Sequence, residues 1–500
     1  MQYNSTRNSG ISISSAEAIK KGLSDDGGLF VPKSFPAISL SELQKFADMT
    51  YQERAFEILS KFLTDFTPKE LKACIEKAYT KEKFETENIA PVYKLNDTEY
   101  ILELWHGPTC AFKDMALQIL PHFLTTSMKK TQETGEVVIL VATSGDTGKA
   151  ALEGFKDVEG TRIVVFYPDD SVSEIQKLQM ITQTGDNVCV SAVSGNFDDA
   201  QNGVKKIFTD EGYKNLLAGN NFKLSSANSI NWGRLAPQIV YYFSAYSDML
   251  EAGEIELGEK INIVVPTGNF GNILAAYYAY KMGLPVNKFI CASNRNNILT
   301  DFIKTGVYDK NRDFHTTISP SMDILISSNL ERLLYDLSGK DEKLVSGFMK
   351  ELSETGKYTV TDDIKNKISE LFYADFADDD ETLEEIGKCF AEYGYVPDTH
   401  SAVALSVYDK YVKDTNDGQK TVIASTASPF KFNQSVLIAL KGCAFVAGKD
   451  EFTLLSELSE ISGMDIPKSL AELKNKTKIF DTVCEKDNMV QVVNDFLQIG

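Results

Sequence analysis

Short runs of β-branched and apolar residues alternate with longer segments of helical period from about residue 137 onward, and this alternation restricts the fold more than any other feature. Such alternation is typical of βαβ units and therefore of a mostly parallel sheet. Strands are predicted at 137–141, 162–167, 187–193, 261–265, 288–292 and 421–425, and helices at about 173–181, 197–208, 230–250 and 273–282. We therefore predict an α/β fold with open, mostly parallel sheets and helices on both faces.

Other parts of the chain lack this alternation and indicate further regions. Ser41 and Thr67 stand at helix starts with Glu or Pro just inside, which predicts a helical N-terminal domain. The acidic run 378–381 lacks the Asp/Gly alternation of a calcium loop and indicates a solvated helix start. The expected regions are a helical cap at 1–85, an α/β core at 86–325 with an inserted smaller lobe at about 115–225, a helical extension at 326–420, and a core strand with a helical tail at 421–500.

The charge balance limits the partners of such a chain. It carries 51 Lys and Arg against 71 Asp and Glu, a formal net charge of −20, and has no basic stripe. A nucleic-acid partner and an anionic membrane surface are therefore disfavoured, whereas a small anion can still bind where a few basic groups and backbone N–H groups converge.

The cysteines and the apolar stretches indicate the cellular compartment of the protein. Seven scattered cysteines without a C-x-x-C pair argue against disulfides and zinc. The amino terminus has no signal-peptide pattern, and no apolar stretch is long enough to span a bilayer. We therefore expect a cytoplasmic protein.

The loop TSGDTGK at 143–149 follows a predicted strand, where ligands bind in open α/β sheets. Its two glycines are too close for a Walker A loop, and Lys149 is followed by Ala150, so no hydroxyl is available for magnesium. The loop is either a capped turn or a site where Ser144, Asp146 and Thr147 bind an anion.

The loop PTGNFGN at 266–272 joins another predicted strand to a helix. Its two glycines and the helix N-terminus could hold a phosphate without any Lys or Arg, or could form a plain turn. The loop is not a dinucleotide-binding loop, because that motif needs G-x-G-x-x-G.

A third polar segment, HGPTCAFKDMALQ at 106–118, places Lys113 between Phe112 and Asp114 in a largely apolar stretch. Most lysines in such places lie on helix surfaces with their stems along apolar groups. A lysine among apolar and aromatic neighbours can instead have a lowered pKa and serve as a Schiff-base amine. Lys113 is therefore a candidate nucleophile.

The remaining candidates are weaker. The four histidines lack metal-ligand spacing, so no metal site is predicted, and Cys110 near His106 lacks the other signatures of a cysteine hydrolase. Aromatic residues expected to pack in the core are Trp105, Tyr241 and Tyr242.

Together and in this order, these loops resemble those of the threonine synthases, pyridoxal-phosphate enzymes of the tryptophan-synthase-β-like fold. HGPT-x-x-FKD with an early DGGL-x-VP is quite specific to that family, whereas SGDTG and GNFGN alone indicate only the wider fold. The resemblance covers nearly the whole chain. Matching segments are 3–7, 26–32, 106–114, 143–148, 228–232, 268–272 and 319–323. The fold implied has two lobes around a cofactor cleft and a small helical N-terminal domain.

The resemblance also implies site residues. Lys113 matches the lysine that holds pyridoxal 5'-phosphate as a Schiff base, and Thr426 matches the hydroxyl residue that faces the pyridine nitrogen. Ser428-Pro429 stands where many relatives have His-Pro, so no role is carried over to position 428. The cofactor phosphate loop is matched by Gly268, Asn269, Phe270, Gly271 and Asn272, and the substrate-binding positions by Ser144, Asp146, Thr147, Asn228, Ser229 and Arg234.

The reaction implied is a β,γ-replacement that converts O-phosphohomoserine and water to L-threonine and phosphate, with Lys113 as proton shuttle. The alternatives are another fold relative, such as a threonine or serine dehydratase, and a non-catalytic cofactor-binding protein. A dehydratase substrate carries no phosphate, which makes Arg234 a discriminating residue. We expect a small-molecule substrate and a monomer or homodimer.

Overall fold

A computed structural model describes residues 1–143, 145–169 and 172–500 of the chain, with the side chain of Asp198 also left undescribed. The strands within these residues are β1 (Tyr3–Ser5), β2 (Asn8–Ile13), β3 (Phe30–Pro32), β4 (Val92–Lys94), β5 (Glu99–Glu103), β6 (Glu136–Ala142), β7 (Thr161–Pro168), β8 (Val188–Ser194), β9 (Phe222–Ser225), β10 (Ile261–Pro266), β11 (Val286–Ser293), β12 (Val307–Asp309), β13 (Lys357–Thr359), β14 (Phe372–Phe376), β15 (Thr421–Ser425) and β16 (Val483–Glu485).

Helices surround the sheets. They are α1 (Ser15–Lys21), α2 (Leu40–Phe46), α3 (Tyr51–Phe62), α4 (Pro68–Ala78), α5 (Asp114–Leu117), α6 (Leu120–Lys130), α7 (Asp146–Phe155), α8 (Glu174–Ile181), α9 (Phe197–Thr209), α10 (Glu211–Gly219), α11 (Trp232–Glu251), α12 (Gly271–Met282), α13 (Ile298–Thr305), α14 (Leu330–Leu337), α15 (Glu342–Thr355), α16 (Asp362–Leu371), α17 (Asp379–Tyr393), α18 (Thr399–Thr415), α19 (Asn433–Lys441), α20 (Cys443–Val446), α21 (Glu451–Ser462), α22 (Lys468–Ala471) and α23 (Met489–Leu497), with 3₁₀ turns at Pro320–Met322, Pro429–Phe432, Glu472–Asn475 and Lys486–Asn488.

The larger of the main sheets has six strands in the order β14-β11-β10-β15-β5-β4. All neighbours run parallel except β4 and β5. Every residue of β10 and β15 is buried, as expected of central parallel strands covered on both faces. The carboxyl ends of β5, β15 and β10 lie side by side, and the segments with Lys113, Thr426 and the GNFGN loop follow these three strands.

The smaller main sheet has five strands in the order β16-β8-β7-β6-β9, all parallel. Four of them come from residues 136–225, and the fifth, β16, comes from the C-terminal tail. The tail was predicted to be helical, and the three-residue strand within it is a difference from that prediction. Its helix α23 also packs on α9, so the tail adds to the hydrophobic core of this sheet.

The predicted strands of the core are confirmed to within two residues, and the prediction of a parallel α/β fold is confirmed. Four predicted helices, now α8, α9, α11 and α12, are confirmed as well. The acidic run begins a helix as predicted, because Asp378 caps α17 and forms a capping box with Glu381.

The N-terminal region contains more than helices. Besides α1 to α4 it holds a small antiparallel sheet in the order β2-β1-β3. The cap of α2 is Ser39 rather than Ser41, two residues earlier than predicted, whereas Thr67 caps α4 as predicted. The region expected to be a helical extension also contributes β14 to the edge of the large sheet.

Helix α11 connects these regions. Nearly all of its 20 residues are buried, and it packs against α3 of the N-terminal region and against α5 and α12 of the core. A helix that is buried on nearly every side is typical of a protein interior. No helix among the described residues is both long enough and apolar enough to span a membrane.

Candidate active site

Lys113 lies in the interior at the carboxyl end of the large sheet, where α5 begins. The residue is 9% exposed. Its Nζ donates hydrogen bonds to Oδ2 of Asp146 at 3.4 Å and to Oγ of Ser321 at 3.2 Å. The side chains of Lys113, Asp146 and Ser321 come from three distant parts of the sequence and meet at one point.

The environment of Lys113 favours the neutral amine. Burial lowers its pKa below the usual value, and the positive charges of Lys431 and Arg234 lower it further, while Asp146 opposes these effects. The aromatic ring of Phe112 lies 5.1 Å from Nζ. A buried lysine with a lowered pKa is the form that attacks carbonyl groups and accepts protons.

Asp146 begins α7, directly after the strand β6 and its loop. Its Oδ1 forms an ion pair with Lys431 Nζ at 2.5 Å and accepts a hydrogen bond from Gln176 Nε2 at 2.9 Å. Although burial raises the pKa of Asp146, the neighbouring lysine side chains of Lys431 and Lys113 hold it well below its usual range, so the carboxylate stays ionised. Of its predicted neighbours, Thr147 is half-buried on α7 and Ser144 lies outside the described residues.

The GNFGN loop presents a helix N-terminus to the same region. Phe270 adopts the left-handed conformation, with φ of 61°, immediately before α12. The N–H groups of residues 269–272 donate to no other group among the described residues. Free N–H groups in the first turn of a helix form an anion-binding site.

Asn272 adds a side-chain donor to this helix N-terminus. Its Oδ1 accepts from the hydroxyls of Tyr241 at 2.6 Å and Tyr242 at 2.5 Å. Its Nδ2 is buried and has no partner in the described part of the chain. Tyr241 and Tyr242 are in the core as predicted, and their hydroxyls also orient the Asn272 amide.

Gly268 sits against the turn that carries Ser321. A Cβ at Gly268 would lie 2.7 Å from the Ser321 carbonyl oxygen, so only glycine allows this approach. The Gly268 carbonyl accepts from Ser327 Oγ at 2.8 Å, and the Asn269 carbonyl accepts from both nitrogens of Asn329 at 3.1 Å. These contacts keep the loop carbonyls turned away from the free N–H groups.

The N-terminal DGGL-x-VP segment is connected to the same loop by hydrogen bonds. The guanidinium of Arg332, which is fully buried, donates to the Phe30 carbonyl and to Oδ1 of Asn329. Arg332 therefore links the segment around Phe30 to Asn329 and through it to Asn269. The motif therefore supports the loop through the hydrogen bonds of Arg332.

The segment after β15 lies against the Lys113 segment. The Phe112 N–H donates to the Thr426 carbonyl at 2.8 Å, and the Ser428 N–H donates to the Cys110 carbonyl at 3.1 Å. Thr426 and Ser428 are both buried. The structure thus places Thr426 beside Lys113, as expected of residues that follow two paired strands.

Arg234 lies on the first turn of α11 and is 3% exposed. Its Nη1 donates to the Ala227 carbonyl at 2.6 Å, while its Nε has no partner among the residues that the structure describes. Burial lowers the pKa of Arg234 to about 10. Nearby, Ser229 Oγ accepts from Asn329 Nδ2 at 3.4 Å, and Asn228 is exposed.

Three residues at the site have no role predicted from the sequence. They are Lys431, Ser321 and His400. Lys431 is fully buried on Asp146. The Ser321 N–H donates to His400 Nε2 at 3.1 Å, while His400 Nδ1 lies 2.7 Å from Asp398 Oδ2. Lys431 stands between two phenylalanines, a pattern close to that around Lys113, and this was the available signal.

The other sequence candidates serve different contacts. His106 Nε2 lies 2.7 Å from Glu103 Oε2, and the Cys110 thiol faces Ser469, so the two do not form a pair. Burial raises the pKa of Cys110 to about 12, which keeps it a thiol. Within the described residues no group of three or more His, Cys, Asp and Glu side chains could hold a metal ion.

Three family models match the chain. Residues 2–79 match the model described as threonine synthase N terminus, residues 85–360 match pyridoxal-phosphate dependent enzyme, and residues 401–496 match threonine synthase, C-terminal. The second model alone covers more than half of the chain, and it includes Lys113 and the GNFGN loop.

Individual relatives agree with these models. The chain is 43% identical over 436 residues to Threonine synthase-like 1 of Homo sapiens, which covers 85% of this chain but 58% of that protein, so the chain spans little more than half of this relative's length. It is 39% identical over 440 residues to threonine synthase of Pseudomonas aeruginosa, covering 87% of this chain and 90% of that protein. The crystal structure of PLP-bound threonine synthase from Brucella melitensis matches with a TM-score of 0.87 at 33% identity, covering 100% of this chain and 99% of that chain.

Proposed function

The chain belongs to the threonine synthase family of pyridoxal-phosphate-dependent enzymes, and we propose that it converts O-phospho-L-homoserine and water to L-threonine and phosphate. Two chemical features at the carboxyl end of one parallel sheet support this reaction. A buried amine, Lys113, and an anion-binding helix N-terminus, at Gly268–Asn272, follow strands of the same parallel sheet. Schiff-base chemistry on a phosphorylated aldehyde needs both features.

The residues at the carboxyl end of this sheet fit pyridoxal 5'-phosphate. The free N–H groups of residues 269–272 and the unpaired Nδ2 of Asn272, within the described chain, supply donors for its phosphate. The absence of a side chain at Gly268 lets the Ser321 turn, whose hydroxyl contacts Lys113, pack against this loop. Thr426 is the buried hydroxyl residue that would face the pyridine nitrogen, and a neutral partner there differs from the Asp of aminotransferases.

When bound, the cofactor supplies an electron sink for carbanion chemistry at the substrate. The chain supplies the proton transfers. Lys113 Nζ, whose pKa is lowered by burial, accepts the proton from the substrate α-carbon and is the best-placed group to return protons later. Ser321 Oγ, 3.2 Å from Nζ, holds the amine in position.

Substrate binding is assigned to the groups around this amine. Arg234 offers an unpaired Nε, as far as the structure describes the chain, and would bind the substrate phosphate together with Asn228 and Ser229. Thr147 and the loop before Asp146, which includes Ser144, would meet the amino-acid end. These few groups must hold two phosphates in a protein whose net charge is −20, so binding depends on local positive charge.

The test of the proposal is turnover by the purified protein loaded with pyridoxal phosphate. With O-phosphohomoserine we expect threonine and inorganic phosphate in equal amounts. Release of ammonia from threonine or serine, without phosphate release from O-phosphohomoserine, would identify a dehydratase instead. A loaded protein that releases none of these products would identify a cofactor-binding protein without catalysis.

Location and assembly are also proposed. The seven cysteines are free thiols in the structure, and most of them are buried, which agrees with a reducing cytoplasm. A monomer or homodimer is the proposed assembly, to be checked by light scattering of the purified protein.

A further inference from the structure

Lys431 is a deeply buried charged group next to the site. It lies in the 3₁₀ turn Pro429–Phe432, which follows β15, and its side chain has no exposed surface. Its Nζ lies 2.5 Å from Asp146 Oδ1 and donates to the Thr109 carbonyl at 3.0 Å. Lys431 therefore joins the α7 start to the turn that precedes Lys113.

The carboxylate of Asp146 is shared between two lysines. Its Oδ1 faces Lys431 and its Oδ2 faces Lys113 at 3.4 Å. The other cation that acts on Lys113 is Arg234, and the one acidic group among these partners is Asp146. Because Lys431 shares this carboxylate, Asp146 stabilises a positive charge on Lys113 less than it would without Lys431.

We propose that Lys431 is a positioning residue of the reaction, which shares the Asp146 carboxylate with Lys113 and so makes the Lys113 amine easier to deprotonate. This inference rests on the proposed function, because it concerns the amine that reacts with cofactor and substrate. Lys431 acts on this amine through Asp146. It also fixes the carboxylate so that Oδ2 points at Lys113.

Stability alone does not explain the Lys431–Asp146 pair. Replacing a buried ion pair by apolar groups of similar size is often neutral or stabilising, since both charges must lose water. The chain offers a comparison in Lys149, which is also buried but pairs with Glu153 on the same helix at 3.0 Å and does not contact Asp146. Substitution of Lys149 is therefore the matched control for the loss of a buried lysine near the site.

The experiment uses full-length protein loaded with pyridoxal phosphate. The visible absorbance of the Schiff base is titrated with pH for the native chain and for Lys431→Met, Lys431→Arg and Lys149→Met. Removing the Lys431 charge leaves Asp146 to stabilise a proton on the Lys113 nitrogen, so the midpoint of K431M is expected to rise by about one pH unit or more. K431R keeps the charge and K149M leaves Asp146 untouched, so both should titrate like the native chain.

A second variant keeps the inference open to contradiction if K431M does not fold. Asp146→Asn removes the carboxylate and leaves the positive charge of Lys431 facing Lys113, so its midpoint is expected to fall. Native-like midpoints in K431M or in D146N overturn the inference while the proposed function stands. A native protein that forms no Schiff base overturns the proposed function and the inference together.

Discussion

The phenol of Tyr242 donates a 2.5 Å hydrogen bond to Oδ1 of Asn272, and Tyr241 donates a second one of 2.6 Å to the same oxygen. Two donors on one oxygen determine the orientation of the amide, so Nδ2 must point away from both tyrosines. That nitrogen is buried and unpaired within the described residues. Two core tyrosines of α11 thus prepare a donor at the N-terminus of α12.

The hydroxyls of these two tyrosines should strengthen cofactor binding. In the double variant Tyr241→Phe and Tyr242→Phe, the Asn272 amide loses both donors, each worth about 1 kcal/mol. We expect the dissociation constant of pyridoxal phosphate, measured by fluorescence titration, to rise about fivefold or more. Tyr246→Phe on the same helix is the control, because its hydroxyl contacts the Glu256 and Glu259 carbonyls and should leave the constant unchanged.

Arg234 allows a test of where the substrate phosphate binds. Losing one charged hydrogen bond typically costs more than about 1.4 kcal/mol, so Arg234→Ala should raise KM for O-phosphohomoserine at least about tenfold. Arg54 is a buried arginine of the N-terminal region that pairs with Asp248, and Arg54→Ala controls for the loss of a buried guanidinium. An unchanged KM in R234A, with kcat also unchanged, removes Arg234 from the phosphate site.

Gly154 sets the distance between the helices that carry Lys113 and Asp146. A Cβ at Gly154 on α7 would overlap the carbonyl oxygen of Leu117 on α5. Gly154→Ala should therefore destabilise the protein by about 1–3 kcal/mol and reduce turnover, as overpacking does. The free energy of unfolding in urea measures the first effect.

The matched control is Gly347 on α15, where a Cβ would meet nothing within 4 Å. Gly347→Ala should stabilise the protein by about 0.5–1 kcal/mol, because alanine is the better helix former. If both variants change stability in the same direction, the close approach of α7 to α5 is not what requires glycine at position 154.

His122 makes the fold sensitive to acid. Burial lowers its pKa from 6.5 to about 4, and the nearby charges of Lys83 and Lys77 add to the effect. The unfolded chain takes up a proton first as the pH falls, so the contribution of His122 to stability is intact above about pH 6.5 and is lost towards pH 4. At pH 5 the loss amounts to at most about 2 kcal/mol.

The measurement is urea unfolding at pH 7 and pH 5 for the native chain and His122→Gln. The glutamine variant should lose less free energy between the two values, because it has no imidazole to protonate. Equal losses in both proteins would show that His122 does not contribute to acid sensitivity.

The core strands could be predicted closely because central parallel strands are covered on both faces and read as continuous apolar runs, as in β10 and β15. Short strands with exposed residues, such as β2 and β16, have no such run and were not predicted. Edge strand β14 was missed within a mostly helical region. In these cases pairing with distant segments, rather than local pattern, forms the strand.

The candidate site divides in the same way. Lys113 and the GNFGN loop stand in local patterns that point to their chemistry. Lys431 and His400 reach the site only through the fold, since Lys431 meets a carboxylate 285 positions earlier in the chain and His400 acts on the Ser321 N–H. Contacts between such distant residues produce no recognisable spacing pattern in the sequence. The direction of the free Asn272 amide is likewise visible only once α11 and α12 are packed.

Lys113 is the residue proposed to form the Schiff base with pyridoxal phosphate. Borohydride reduction of the loaded protein, followed by peptide mass spectrometry, tests it most directly because reduction makes the bond permanent. We predict one phosphopyridoxyl group per chain, on Lys113, and none in Lys113→Ala. A label on Lys431 or Lys149, or a protein that takes up no label, would contradict the account.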